Sequence, residues 1–384
     1  MIKFGLIKKE ERKNMPYCDK KVISFILTTQ CNLRCTYCYG ARNAEKRVLD
    51  WNFAKRVLED YVGGVGGIKQ IRFFGDGEPT TEMDLLKRIC REAKDLEPDM
   101  QAEVQTNGIF SEETADWLGK NMDYIFMSVD LLPEDNDQYR ITPNGKPSSP
   151  YILKNLQYLK DMPDRKAKIG IRSTITKYNI ERQKEGIDYY YDNYGIDIFW
   201  VDPIFPPVSE IAEKIYEPVD MMQFATAFVD AHNHAWERGV FYESNLTTNF
   251  DGKTDKACRS CLPMPHLTMD GYLSACEMAT YGEGDEKMDA MIYAKYDAGN
   301  DKIVYDENKL KILRSRTLNN MPAECRACVA GEYCAGFCLG ETLNENGSLF
   351  RVKTRVCKAL RYIYGEIGYL YPQKYPKGYP HKHP

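Results

Sequence analysis

The sequence predicts an α/β protein in which a parallel sheet with helical crossovers is followed by a cysteine-rich C-terminal region. Strand-like and helix-like stretches alternate six times between residues 23 and 201, and parallel strands need crossovers of this kind. Cysteines concentrate at 31–38 and again at 258–357. The first cluster directly follows the first strand-like stretch, so its thiols are expected in a loop at a strand end.

The alternation is read from apolar periodicity and helix-capping signals. Strand-like stretches cover 23–28, 68–74, 102–105, 124–129, 168–175 and 196–201. Helix-like stretches cover 50–62, 83–96, 111–119, 151–160, 180–194 and 221–238. Asp50 is the expected N-cap of the first helix, and the last helix is expected to bury Phe224, Phe228, Ala231 and Trp236. The glycine-rich run 63–67 precedes a strand, which predicts a helix C-terminal loop instead of a phosphate-binding loop.

Composition narrows the class of protein. A formal net charge of −4 over 384 residues gives no overall attraction to nucleic acid or to an anionic membrane. No apolar run approaches the roughly 20 residues that span a bilayer, and the N-terminus lacks the apolar core of a signal peptide. We therefore predict a cytoplasmic protein, in which thirteen cysteines indicate metal or redox chemistry. His232 and His234, two apart in a helix, are expected on different faces.

Three cysteines follow the first strand at short spacing: Cys31, Cys35 and Cys38. Three thiolates bind three irons of a [4Fe–4S] cluster, whose full ligation requires four. The fourth iron is then open, in the way that a catalytic zinc keeps an open position. A zinc knuckle, or reduced thiols in a turn, is the alternative that the spacing leaves.

The spacing Cys31-x3-Cys35-x2-Cys38, with Tyr37 before the last cysteine, resembles the signature of the radical S-adenosylmethionine (SAM) superfamily. The resemblance implies a partial (β/α)6 TIM-type barrel and a [4Fe–4S] cluster whose open iron chelates the SAM amino and carboxylate groups. It also implies reductive cleavage of SAM to a 5′-deoxyadenosyl radical. By the same resemblance Tyr37 lies beside the adenine.

Two further strand ends resemble motifs of the same superfamily. The segment Gly75-Asp76-Gly77-Glu78-Pro79 is similar to its Gly-Gly-Glu-Pro motif, whose backbone and carboxylate hold the SAM amino group, although Asp76 departs from the usual glycine. A plain strand–helix turn is the alternative. The segment 105–108 resembles a Gln-Thr-Asn-Gly motif that lies beside SAM, which implicates Gln105 and Asn107.

Polar residues end the fourth strand and interrupt the fifth. Ser128 and Asp130 share one face by the period of two, and a serine or aspartate at this place binds the SAM ribose in related enzymes. Arg172 lies in an apolar run and needs an acidic partner. That partner is expected to be either the SAM carboxylate or a structural salt bridge.

Eight further cysteines lie in the C-terminal region. Eight thiols are enough for two complete four-cysteine sites, and such sites hold either zinc or iron–sulfur clusters. Asp270-Gly271 predicts a tight hairpin between two of them. Their order resembles the SPASM domain, which implies two auxiliary [4Fe–4S] clusters. The implied ligand sets are Cys258, Cys261, Cys276 and Cys338 for one cluster, and Cys325, Cys328, Cys334 and Cys357 for the other.

Three other residues have side chains capable of chemistry. Glu277 follows Cys276 where sulfatase maturases carry an aspartate, the proposed general base, so Glu277 is either a general base or a surface glutamate. Cys18 and Cys90 lie outside both cysteine patterns, and Cys90 is expected in the core.

The predicted division of the chain is an N-terminal segment 1–20, a radical SAM barrel 21–240, a SPASM domain 241–365 and a Pro-, Tyr- and Lys-rich tail 366–384. The resemblance implies an enzyme that abstracts hydrogen from a peptide or protein and forms a thioether or carbon–carbon cross-link in a ribosomally made peptide. A low-potential donor such as flavodoxin or ferredoxin is an expected partner. Only about 20 residues precede the first strand, so a leader peptide is expected to need a separate binding protein unless the barrel recognises the peptide itself.

Other functions stay open at this stage. They are formylglycine formation of the sulfatase-maturase type, a small-molecule dehydrogenation, and a non-catalytic iron–sulfur electron carrier. In the last case Glu78, Gln105 and Ser128 would be incidental.

Overall fold

The computed structural model describes residues 22–38, 45–62, 68–205, 217–283, 286–351 and 354–371. The predicted N-terminal segment, Cys18, the glycine-rich run and residues 372–384 lie outside the described residues.

One sheet of eleven strands runs through the described residues, in the order β11-β10-β9-β8-β1-β2-β3-β4-β5-β6-β7. The strands are β1 Val22–Phe25, β2 Gln70–Phe73, β3 Gln101–Thr106, β4 Tyr124–Ser128, β5 Lys168–Ile175, β6 Ile198–Pro203, β7 Phe241–Glu243, β8 His266–Leu267, β9 Tyr272–Ser274, β10 Ile292–Asp297 and β11 Lys302–Tyr305. Strands β1 to β6 pair in parallel in chain order, which confirms the six predicted β/α units.

The helices cover the outer side of this sheet and form most of the C-terminal region. They are α1 Trp51–Tyr61, α2 Met83–Leu96, α3 Glu112–Asn121, α4 Pro133–Tyr139, α5 Ser149–Asp161, α6 Gln183–Tyr194, α7 Met221–Glu237, α8 Glu307–Ser315, α9 Ala323–Arg326, α10 Gly331–Cys334, α11 Leu339–Asn346 and α12 Thr354–Ile367. No helix in the described part of the chain is long and apolar enough to cross a membrane.

Local sequence signals explain where these helices begin. The Asp50 side chain accepts a hydrogen bond of 2.9 Å from Phe53 N, which confirms Asp50 as the N-cap of α1.

In α7 the expected buried positions are confirmed except for Trp236, which is 43% exposed, while Ala235 is buried in its place. As expected, His232 and His234 point to different sides: His232 is buried, and His234 contacts Asp188 at 2.7 Å.

The C-terminal region continues the barrel sheet. Strand β8 pairs in parallel with β1 and antiparallel with β9, and Gly271 forms the turn of this predicted hairpin with φ of +85°. Strand β7, which starts at the predicted boundary of 240/241, pairs in parallel with β6. The division at residue 240 stays a prediction.

The predicted start of the tail at residue 366 is wrong. Helix α12 extends to Ile367, and a 3-10 turn follows at Gly368–Leu370. Tyr371 is fully buried and its hydroxyl donates a hydrogen bond of 2.6 Å to Glu243. The apolar face of α12 thus continues beyond the point at which composition placed the tail.

Candidate functional site

A cavity of about 500 Å³ lies where the barrel strands end and the C-terminal region covers them. Most of the predicted site residues line it: Cys31, Cys35, Tyr37, Cys38, Gly75, Gly77, Glu78, Gln105, Asn107, Ser128, Arg172, Cys258, Cys276, Glu277, Cys334 and Cys338. Pro79, Asp130 and Cys261 are buried and are not part of its wall. A volume of this size is typical of a small-molecule or cofactor site.

The three barrel thiols form one wall of the cavity. Cys31 Sγ accepts a hydrogen bond of 3.4 Å from Leu33 N and one of 3.6 Å from Asn107 Nδ2. A turn from Cys38 N to the Cys35 carbonyl, 3.2 Å long, brings the other two cysteines together. Burial, followed by the charge of Glu78, raises the pKa of the Cys31 thiol to about 11.

Glu78 ties the β2 loop to the β3 loop. Its Oε1 accepts hydrogen bonds from Thr80 N at 3.0 Å, Thr80 Oγ1 at 2.7 Å and Thr106 Oγ1 at 2.7 Å. Its Oε2 accepts one from Asn107 N at 2.7 Å. Burial raises the pKa of this carboxyl, and these hydrogen bonds oppose the rise. The Glu78 carboxylate is therefore already well supplied with donors, which the sequence did not indicate.

The glycines of the same loop are required by close packing. A Cβ at Gly77 would lie 2.4 Å from the Thr28 carbonyl oxygen and 2.5 Å from that of Gln30. Gly75 has φ of +145°, a conformation that side chains rarely allow. Asp76, which departs from the family motif, accepts a hydrogen bond of 2.8 Å from Tyr281 of the C-terminal region.

Asp130 has a position different from the predicted one. Its Oδ2 accepts a hydrogen bond of 2.5 Å from the Tyr37 hydroxyl, and its Oδ1 accepts one of 3.1 Å from Thr174 N. The Tyr37 hydroxyl in turn accepts one of 2.9 Å from Arg140. Because β4 ends at Ser128, the period of two no longer applies at Asp130, and only Ser128 faces the cavity. The expected ligand contact of Asp130 is not supported by this position.

Of the two partners expected for Arg172, the structure shows the salt bridge. Its guanidinium lies 2.7 Å from Asp202, and Asp202 also accepts hydrogen bonds from Ser244 Oγ at 2.9 Å and Asn245 N at 2.8 Å. Arg172 nevertheless lines the cavity, beside the ring of Trp200.

A charged cluster that sequence reasoning missed joins the barrel to Glu277. The register of β2 and β3 pairs Arg72 with Glu103, and Arg72 Nε lies 2.9 Å from Glu103 Oε1. The same guanidinium contacts Glu277 and donates a hydrogen bond of 3.3 Å to Gln105. The sequence signal for this cluster was a pair of opposite charges, Arg72 and Glu103, in two neighbouring apolar strands. The reading of Glu277 as a surface glutamate is wrong, since its side chain is 25% exposed and faces the cavity.

Two more lining residues carried no sequence signal. His266, on β8, is buried in the wall next to the C-terminal cysteines. The Lys256 ammonium also lines the cavity and forms no ion pair with a described residue.

The eight C-terminal cysteines lie in two neighbourhoods, and their division into two cluster-ligand sets stays a prediction. Cys325, Cys328, Cys334 and Cys357 surround a small cavity of about 60 Å³. In the other set a hydrogen bond from Cys261 lowers the pKa of Cys258, and Cys258 also accepts a hydrogen bond from the backbone of Leu339, next to Cys338. A Cβ at Gly340 would lie 2.9 Å from Cys276 Sγ, so this glycine lets α11 approach the thiol.

The described residues place no three His, Cys, Asp or Glu side chains around a point that suits a single metal ion. Cys90 is buried on α2, in the core as expected.

A barrel with three thiols beside a glycine cradle, followed by a cysteine-rich extension, defines a class of iron–sulfur proteins. Residues 25–181 match the family model of the Radical SAM superfamily. Members of this superfamily bind SAM and a [4Fe–4S] cluster. The three thiols on one wall fit the cluster, and the polar groups of Gln105 and Ser128 in the same cavity fit SAM.

Two relatives of known sequence are informative. An uncharacterized protein of Methanocaldococcus jannaschii, MJ0907, is 32% identical over 48% of this chain, which spans 63% of that relative's length. A cysteine-type anaerobic sulfatase-maturating enzyme of Clostridium novyi is 23% identical over 77% of this chain and 76% of its own.

Among solved structures, native anSMEcpe with bound AdoMet and Kp18Cys peptide superposes with a TM-score of 0.70. It is 14% identical, and the match covers 92% of this chain and 98% of that one. The fold is therefore a partial TIM barrel with a SPASM domain, as predicted.

Proposed function

We propose that this chain is a radical SAM enzyme that oxidises a side chain of a peptide or protein, and that it holds three [4Fe–4S] clusters. The observation that carries the proposal is a shared cavity. The barrel thiols Cys31, Cys35 and Cys38 line it together with Cys258, Cys276 and Cys338 of the first C-terminal set. A substrate in this cavity would meet both a radical source and an electron acceptor.

The ligands follow from the grouping of the thiols. The three barrel cysteines would hold the cluster with an open iron, and each C-terminal set would hold one fully ligated cluster. The bound cofactors would supply hydrogen abstraction and electron transfer. The protein contributes binding, orientation and exclusion of side reactions.

The chain's own residues would orient SAM from several strand ends. The Glu78 carboxylate accepts four protein hydrogen bonds, so the backbone carbonyls of the glycine cradle 75–77, which lines the cavity, would be the further acceptors for an ammonium group. Ser128 and Gln105 supply neutral polar groups in the wall. The Tyr37–Arg140 contact fixes the phenol next to the cysteine loop.

A peptide substrate is supported by the likeness to a sulfatase-maturating enzyme and to the structure of anSMEcpe with bound Kp18Cys peptide. Within this class, a thioether or carbon–carbon cross-link is our first hypothesis. Glu277 ion-pairs with Arg72, and a carboxylate must give up such a pair to accept a proton, which disfavours a general-base role. Formylglycine formation is the second candidate, favoured by the length of the match to the Clostridium novyi enzyme.

Anaerobic reconstitution tests the enzymatic proposal. We expect about twelve irons per chain and reductant-dependent release of 5′-deoxyadenosine from SAM. Cys31→Ala should abolish this release and leave about eight irons. Cys90→Ala, a buried thiol on a helix, is the matched control and should change neither quantity. Iron binding without nucleoside release from the wild-type chain would instead support an electron carrier.

Mass spectrometry of a co-expressed candidate peptide tests the chemistry. A cross-link removes two hydrogen atoms and keeps every cysteine sulfur, whereas formylglycine formation from cysteine replaces the sulfur by an aldehyde oxygen. Activity with a reduced flavodoxin or ferredoxin, and its dependence on an added leader-binding protein, would test the two proposed partners.

A further inference from the structure

Arg316 is a fully buried arginine at the C-terminal end of α8. Its three donor groups all reach backbone carbonyls. Nε donates to Leu349 O at 2.6 Å, Nη1 to Ala335 O at 2.6 Å and Nη2 to Gly336 O at 3.0 Å. Three of the five N–H donors of the guanidinium therefore bind backbone that belongs to the cysteine-rich region.

The charge of this guanidinium has no carboxylate beside it. Among the described residues no Asp or Glu forms an ion pair with Arg316. Burying an ionised group without a counter-charge is costly even when its hydrogen bonds are satisfied. Arg316 binds the carbonyls of Ala335 and Gly336, which lie between Cys334 of one thiol set and Cys338 of the other, so its charge lies close to both sets.

The segment that Arg316 holds connects the two sets. It runs from Cys334 to Cys338, and its three inner residues have positive φ angles: 44° at Ala335, 88° at Gly336 and 64° at Phe337. Positive φ costs about 1–3 kcal/mol at a non-glycine residue and persists only where the surroundings enforce it. Two of the three inner carbonyls accept hydrogen bonds from Arg316.

Close packing makes this arrangement specific. A Cβ at Gly336 would lie 2.5 Å from Arg316 Nη2 and 2.9 Å from Nη1. Gly336 itself lines the cavity that Cys325, Cys328, Cys334 and Cys357 surround. The guanidinium therefore lies directly behind the wall of that site.

We propose that Arg316 is a positioning residue for both auxiliary clusters: it fixes the 334–338 segment so that Cys334 faces one site and Cys338 the other, and it supplies the positive charge between two anionic groups. The proposal rests on the proposed function for the identity of these groups as iron–sulfur clusters. Four thiolates give such a cluster a net negative charge, and nearby charge is one of the quantities that set its reduction potential.

The test uses a chain in which Cys31, Cys35 and Cys38 are all replaced by alanine, so that only the auxiliary sites remain. With Arg316 intact this chain should bind about eight irons. If it binds no iron, the three-cluster proposal is wrong. The content of zinc or other metal in the purified wild-type and R316Q chains then tests Arg316: a lower content in R316Q supports a positioning role for the thiols, and an equal content contradicts it.

In the same background we expect Arg316→Gln to lower the iron content at both sites. Any auxiliary cluster that remains should have a more negative midpoint potential in an EPR-monitored redox titration. Arg316→Lys keeps the charge and should restore the potential toward the parent value more than it restores the iron content. Arg238→Gln removes an arginine of α7 that pairs with Asp188 and Asp192, and it should change neither quantity.

Unchanged iron content and unchanged midpoint potentials in R316Q would overturn the proposal. So would identical potentials in R316K and R316Q. In the otherwise wild-type chain R316Q should keep the barrel cluster and nucleoside release. Loss of that cluster together with the auxiliary ones would indicate a general role in folding and would also overturn it.

Discussion

The barrel supplies its three thiols within residues 31–38, at the end of a fully buried strand, whereas the C-terminal thiols come from segments spread over 258–357. The barrel loop is supported by the parallel sheet at its start and by hydrogen bonds from Asn107 to Cys31 and Asn32. The C-terminal cysteines lie largely in turns and short helices, of which α9 and α10 have four residues each.

This difference indicates two ways of building a metal site. In the barrel the fold exists first and the thiols are placed on it. In the C-terminal region the side chains that would bind the clusters also connect the segments, because helices of one turn are not stable by themselves. The residues that join the segments, such as Arg316, then become as important as the ligands.

Removal of iron should show the largest difference between the two regions. Since a bound cluster contributes to folding where the site is not otherwise preformed, amides of 317–351 should exchange about a hundredfold faster or more in the iron-free chain. Amides of β1 to β6 should stay protected. Hydrogen exchange followed by mass spectrometry measures both. As a control, the barrel triple-alanine variant should leave 317–351 unchanged, and equal protection of 317–351 with and without iron would contradict the expectation.

A second prediction concerns the glycine cradle of the barrel. Gly77→Ala places a Cβ 2.4 Å from a backbone carbonyl oxygen, and such overpacking costs about 1–3 kcal/mol or more. We expect a lower free energy of unfolding and a large loss of nucleoside release. Gly365→Ala is the matched control, since Gly365 lies in α12 with nothing near its Cβ position, and it should stabilise the chain by about 0.5–1 kcal/mol. Equal effects of the two variants in urea unfolding would argue against the required close approach.

The sequence was sufficient where one local pattern decides the structure. Strand and helix periodicity located the six β/α units, and Asp50 marked a helix start through its own side chain. The predicted start of the tail was wrong because it rested on the Pro-, Tyr- and Lys-rich composition, which holds only beyond residue 371. The apolar positions that continue helix α12 to Ile367 were not used. For Asp130 the period of two was no guide, because the strand ends at Ser128, and its role stays a prediction.

Long-range contacts were the part that sequence could not give. Arg72 and Glu103 are adjacent in the register of β2 and β3, but their contact with Glu277 depends on how the C-terminal region folds back over the barrel. Arg316 reads in the sequence as one more charged residue at a helix end. Its burial is decided by the 334–338 segment, which closes around it only in the folded chain.

The Arg72 cluster tests the junction between the two regions. Arg72→Met leaves the fully buried Glu103 carboxylate without its cation, and loss of one partner of a buried pair costs about 3–5 kcal/mol. We expect that decrease in urea unfolding, together with reduced substrate oxidation. The double variant Arg72→Met/Glu103→Gln should recover part of the stability. If the double variant is as unstable as the two single changes added together, the Arg72–Glu103 pair is not the cause.

The contact between Asp76 and Tyr281 should show the smallest effect. Tyr281→Phe removes a hydrogen bond of 2.8 Å, and one such bond contributes about 1 kcal/mol. Burial and then the Asp76 charge raise the pKa of Tyr281, so the phenol stays neutral and acts as a donor at neutral pH. Asp76→Gly, which restores the residue typical of the family motif, should cost a similar amount, and adding Tyr281→Phe to it should cost little more. A double-mutant cycle measured by urea unfolding gives the coupling directly. Full additivity of the two changes would mean that this hydrogen bond does not connect the barrel to the C-terminal region.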